Sequence, residues 1–80
     1  MKIIEAIAKR LTELLDEKNL SQYSLCKKAA IDASNLYNII YHRTKSITLN
    51  NLILICDGLG VTVHEFLDSP LFNREHLEID

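Results

Sequence analysis

The sequence predicts an all-α domain of five short helices, and three observations carry that prediction. Apolar residues recur at three and four positions rather than alternating. A side chain able to cap a helix start (Ser21, Asp32, Thr48, Thr62) stands before each of the last four periodic segments. Residues 21–45, SQYSLCKKAAIDASNLYNIIYHRTK, read as two short helices joined by a tight turn.

The first helix is expected over residues 2–17. Ile3, Ile7, Leu11 and Leu14 or Leu15 form its apolar stripe, and Lys2, Glu5, Lys9, Glu13 and Asp16 its polar side. Glu5 and Lys9 have the spacing of an i,i+4 ion pair. Asn19 is a left-handed residue that ends the helix, and Leu20 drops into the core. Ser21 then caps a helix running to about Ala29, and Asp32 one ending near Tyr41. Leu25, Ala29, Leu36 and Ile39 point inward, with Ile31 in the turn. Cys26 lies where these two helices approach most closely. Ala33, Ser34, Asn35, Tyr37, Asn38 and Tyr41 face out. Such a face, poor in charge and rich in amides, suits reading base edges in the major groove, as Asn does with adenine. The spacing is that of a helix-turn-helix, whose second helix enters that groove.

Residues 42–47 read as a polar, basic loop, either simply solvated or lying along a phosphate backbone. Thr48 caps the fourth helix, whose Leu49, Leu52, Ile53, Ile55, Cys56 and Leu59 make it the central one. Gly58 and Gly60 bracket its end as a left-handed terminus requires. Thr62 caps the fifth helix, whose Val63, Phe66 and Leu67 close the core before Pro70 stops it. The tail, residues 69–80, is too apolar at Leu71, Phe72, Leu77 and Ile79 to be free. It packs back on the first helix or forms a dimer contact.

Eighty residues, 48% of them hydrophobic, make one domain spanning 1–80 whose core draws on nearly the whole chain. Neither a membrane span nor a signal peptide is evident, and the expectation is a cytoplasmic protein. Cys26 and Cys56 belong to no ligand cluster and read as core packing. His42, His64 and His76 have no metal or catalytic spacing, and Ser21 and Ser34 have no His–Asp partner in sequence. No cofactor, metal site, catalytic residue or small-molecule ligand is expected, nor is enzymatic activity. Net charge is −2, but unevenly spread. Between Lys18 and Lys45 five basic residues face one acid, Asp32, whereas from His64 to Asp80 five acids face Arg74. The expectation is a basic reading face and an acidic far end. Lys27 and Lys28 read as a solvated face. Tyr37 and Tyr41, four apart, either pack as partial core or offer a phenol to phosphate or base.

Two stretches, KNLSQYSLCKKAAIDASNLYNII and SITLNNLILICDGLGVTVHEFL, resemble the Xre family, the Cro and lambdoid-repressor type of helix-turn-helix, over roughly residues 9–68. The resemblance implies a lambda-repressor-like fold and binding to double-stranded operator DNA as a homodimer on two half-sites. Carried over by position, Gln22 holds a phosphate. Ala33, Ser34 and Asn38 face bases, flanked by Asn35 and Tyr37. Arg43 and Lys45 fall in the backbone-contacting loop. Two positions depart from the family pattern, Ala30 in the turn and His42 after the recognition helix, where glycine is usual. A left-handed Ala30 costs on the order of 1 kcal/mol, whereas His tolerates positive φ better than most residues. The other reading of the same scaffold is a protein-interaction or antitoxin-like adaptor. Low overall basicity and the apolar, acidic tail speak for it. The dimer interface is expected on the fifth helix and the tail.

Overall fold

A computed structural model describes residues 1–79. It contains α1 (Ile3–Glu17), α2 (Gln22–Ala29), α3 (Ala33–Ile40), α4 (Leu49–Leu59) and α5 (Val63–Leu67), followed by two single 3-10 turns, Pro70–Phe72 and Arg74–His76. The only extended pairing among the described residues is a parallel bridge between Lys2 and Glu78.

Helix starts follow the sequence. The side chains of Ser21, Asp32, Thr48 and Thr62 each accept the N–H three residues on, at 3.1, 2.7, 3.1 and 3.0 Å. Thr62 and Glu65 form a reciprocal capping box, since Glu65 Oε1 also accepts the Thr62 N–H. That backbone hydrogen bond, with the Thr62 hydroxyl second, holds the Glu65 carboxyl below its ordinary range. At α1, Glu5 Oε1 accepts the Lys2 N–H at 3.0 Å. The expected Glu5–Lys9 pair is therefore absent, because the carboxylate meets an orphan backbone donor instead.

Helix ends share one device. Asn19, Ala30, His42 and Gly60 take φ of 56°, 53°, 60° and 75°. At three of them two carbonyls of the preceding helix are closed off. Leu20 N–H reaches Leu15 O, Arg43 N–H reaches Asn38 O, and Val61 N–H reaches Cys56 O, at 2.9, 2.8 and 3.0 Å. Ala30 and His42 are thus left-handed despite their side chains, as the resemblance to a glycine-bearing pattern implied.

The core joins all five helices. Leu11, Leu25, Leu36, Ile39, Ile55 and Phe66 are all but inaccessible, with Ile31 buried in the turn and Leu20 half-buried beside it. Burying one such side chain is worth about 1.5–3 kcal/mol. Ile4, Ala6 and Ala8 widen the buried face of α1 beyond the single expected stripe. α2 packs chiefly against α4, and α1 against α3.

α2 also approaches α4 closely. Cys26 is only half-buried, whereas Gly58 sits in the α2–α4 crossing. A Cβ on Gly58 would stand 2.8 Å from Ala29 Cβ and from Leu25 Cδ1, and 3.0 Å from the Ala29 nitrogen. Gly60 alone is left-handed, so the two glycines serve different ends. α4 is also less enclosed than expected. Leu49 and Ile53 are 66% and 43% exposed, and Leu67 of α5 is 42% exposed.

The tail packs back on α1. Its first 3-10 turn lies against that helix, with the Phe72 ring 6.1 Å from Phe66. Its end pairs with the chain start, Glu78 N–H to Met1 O at 2.8 Å and Met1 amine to Glu78 Oε1 at 3.1 Å. Arg10 ties α5 to α1, its guanidinium donating to Phe66 O and Glu65 O at 2.8 and 2.9 Å. A cation on the last carbonyls of a helix suits the dipole there.

Candidate nucleic-acid interface

α3 has two faces. Leu36 and Ile39 are buried beneath it, while Ala33, Ser34, Tyr37, Asn38 and Tyr41 are exposed and Asn35 half-exposed. Ala33, Tyr37 and Tyr41 form one row at i,i+4 spacing, and Ser34 and Asn38 the row beside it. Residues four apart lie about 6 Å from each other along the axis. The outer face thus presents a methyl, a hydroxyl and an amide over roughly one and a half turns, without charge. A helix of about 10–12 Å diameter with that outer face fits a major groove of about 12 Å.

The cap at Asp32 fixes where this helix begins, and the left-handed His42 where it ends. Beyond His42 the chain doubles back into an exposed loop. Within it the Thr44 hydroxyl donates to Ser46 O at 3.1 Å. Arg43 and Lys45 sit here, exposed, next to the end of α3. Gln22 is exposed at the first turn of α2, beside the Ser21 cap. The phosphate-facing and base-facing residues read from the sequence therefore lie on α2, α3 and the loop, all accessible.

Tyr37 and Tyr41 pack on each other at the surface. Their ring centroids lie 4.4 Å apart, tilted by 39°, and both remain about half-exposed. The Arg43 guanidinium lies over the Tyr37 ring at 5.4 Å. On α2 the Lys27 ammonium similarly lies over Tyr23 at 4.6 Å, so that lysine is not simply solvated. The i,i+4 tyrosines were visible in the sequence. The Arg43 contact was not, because it depends on the left-handed turn at His42. Arg10 left no local signal either, since its partners lie more than fifty residues away.

The acidic end is less distant than the charge count suggested. Glu78 and Ile79 line a shallow groove together with Arg43 and Lys45. Among the described residues no cluster of His, Cys, Asp and Glu could hold a metal. Among the described residues no helix is long and apolar enough to cross a membrane. Burial, with Asp57 adding to it, pushes the Cys56 thiol up to about 11.

An uncharged polar helix face, a basic loop beside it and a capped helix behind define a helix-turn-helix DNA-binding domain. The comparisons with known proteins agree. The Cro/C1-type HTH DNA-binding domain matches residues 10–70, and the chain belongs to that family. The crystal structure of the prophage Lp1 protein 11 superposes with a TM-score of 0.81 at 29% identity, over 92% of this chain and 99% of that one. Comparison with curated proteins gives no match. This protein is accordingly a DNA-binding protein of the Cro/C1 type, with the all-helical fold of that family.

Proposed function

We propose that the protein is a sequence-specific transcriptional regulator, a repressor, that lays residues 32–41 in the major groove and acts as a homodimer on an inverted repeat. The observation that carries this reading is the exposed, uncharged face of Ala33, Ser34 and Asn38 between a capped start and a basic loop. Asn38 pairs through its amide with adenine, Ser34 donates or accepts, and the Ala33 methyl meets a thymine methyl. Asn35 and Tyr37 flank them. Gln22 at the start of α2 holds a phosphate, as backbone donors at a helix start favour. Arg43 and Lys45 contact phosphates along the groove edge. So few cations per protomer make non-specific binding weak, so that useful affinity requires two protomers on one site. The protein then works in the cytoplasm, where it meets DNA directly.

Selection from random duplex DNA at moderate salt, read by sequencing, tests this. The expected outcome is an enriched inverted repeat whose half-sites lie about 34–36 Å apart. Asn38→Ala relaxes discrimination at one base pair per half-site by about 1–3 kcal/mol. Arg43→Ala weakens binding across sequences and flattens the salt dependence. Absence of enrichment, with only general salt-sensitive binding or none, refutes the reading. It would move the function to a protein partner held on the same scaffold.

A further inference from the structure

Arg43 stands on an exposed loop, where a long side chain normally samples many rotamers. Two features restrict it here. The left-handed His42 turns the chain back, and the Arg43 N–H closes on Asn38 O at 2.8 Å, which fixes its Cα against the end of α3. The guanidinium then lies over the Tyr37 ring, and Tyr41 packs against Tyr37 in turn. Among the described residues no carboxylate pairs with Arg43. A ring holds a guanidinium by its face and leaves its edge N–H donors directed outward. A carboxylate would occupy those donors. The arrangement orients a cation without consuming its capacity to bind an anion.

We infer that Tyr37 is a positioning residue for Arg43: its ring, braced by Tyr41, holds the guanidinium ready for a DNA phosphate, and its hydroxyl makes no essential contact. This rests on the proposed phosphate contact of Arg43. It gives Tyr37 a different task from Ser34 and Asn38, one that is indifferent to base sequence. Less side-chain entropy is then lost on binding, because part of it is lost already in the free protein.

The test measures binding to the duplex recovered by selection, and to the same duplex with both half-sites scrambled, across a salt series. Tyr37→Leu is expected to weaken specific binding about two- to five-fold per protomer. That equals ~0.4–1 kcal/mol at 1.4 kcal/mol per tenfold, the size of an exposed cation–π contact. The base preference of the site stays the same. Tyr37→Phe, which keeps the ring, restores what Tyr37→Leu loses. Tyr37→Leu on an Arg43→Ala background costs nothing further. Tyr37→Gln, which also removes the ring, is expected to lose about as much as Tyr37→Leu. It carries the test if the leucine variant fails to fold. In the free protein, the Arg43 side-chain proton resonances lose their ring-current shift in Tyr37→Leu and keep it in Tyr37→Phe.

Equal losses in Tyr37→Phe and Tyr37→Leu would overturn the inference, since the hydroxyl would then be touching DNA. Full additivity with Arg43→Ala, or a changed base preference, would overturn it as well. Failure of the unmodified protein to bind any duplex removes the DNA reading and this inference together. Binding that Tyr37→Leu leaves untouched removes the inference alone.

Discussion

Gly58 is the position where a single methyl group should matter most. Its neighbours are the Ala29 methyl and a Leu25 methyl, each 2.8 Å from where a Cβ would stand, and the Ala29 nitrogen at 3.0 Å. Leu25 is fully buried, and the Ala29 nitrogen is backbone, so neither can give way without moving α2 against α4. Two effects of Gly58→Ala oppose each other. Alanine in a helix interior is favoured over glycine by about 0.8–1 kcal/mol. Forcing an extra methyl into a filled crossing costs typically 1–3 kcal/mol. Three simultaneous contacts at or below 3.0 Å, one of them to backbone, place the cost at the upper end. The expected net loss is about 1–2 kcal/mol, from a total of about 4–12 kcal/mol for a domain this size. Thermal unfolding followed by circular dichroism should show Tm lowered by roughly 5–15 °C. Asp57→Ala, at the exposed neighbouring position, is the control and should change Tm little. A Gly58→Ala protein that melts at or above the parent temperature would refute the reasoning. It would mean that helix propensity, not the crossing, decides this position.

Three further outcomes follow from local geometry. Ala30→Gly removes a left-handed alanine, whose cost of about 1–2 kcal/mol exceeds the entropy glycine loses, ~0.5–1 kcal/mol. A gain of roughly 0.5–1 kcal/mol is expected in urea unfolding, with an unchanged slope. Asp32→Ala leaves the Asn35 N–H unpaired at the start of α3 and should cost about 1 kcal/mol, whereas Asp32→Ser should retain most of it. Iodoacetamide at pH 8 should label the half-buried Cys26 first. Cys56, its thiol pushed up to about 11, should react only at the rate of unfolding, as intact-mass spectrometry would show.

What could be read from the chain was mostly what is local. Ser21, Asp32, Thr48 and Thr62 announce their helices because a cap acts within three residues. Leu25, Leu36 and Ile39 announce their inward faces because periodicity is a property of one helix. Asn19 as a left-handed terminus was legible for the same reason. The misses depend on what another element brings. Gly58 looked like part of a helix end, and only the α2–α4 crossing shows it as a contact point. Leu49 and Ile53 fit a buried helix by composition, yet the described residues leave both partly exposed. The tail's packing on α1 was one of two readings, and it depends on Phe66 and on the chain start, both far away in sequence. In the proposed DNA-facing region, the exposure of α3 followed from its pattern. The Arg43–Tyr37 contact required the backbone reversal at His42, which no periodicity encodes.

The pairing of Met1 with Glu78, beside the Lys2–Glu78 bridge, joins residues 77 positions apart. Of all the contacts described, it closes the longest loop, and the entropy of closure grows with loop length. It is also exposed at Lys2 and Glu78. The strap should therefore be the last part to assemble and the first to open. Its amides would exchange through a local opening, while those of α1 and α4 wait for global unfolding. Because Glu78 and Ile79 border the same groove as Arg43 and Lys45, each opening would uncover the flank of the basic loop. The helix-turn-helix behind that loop would stay folded.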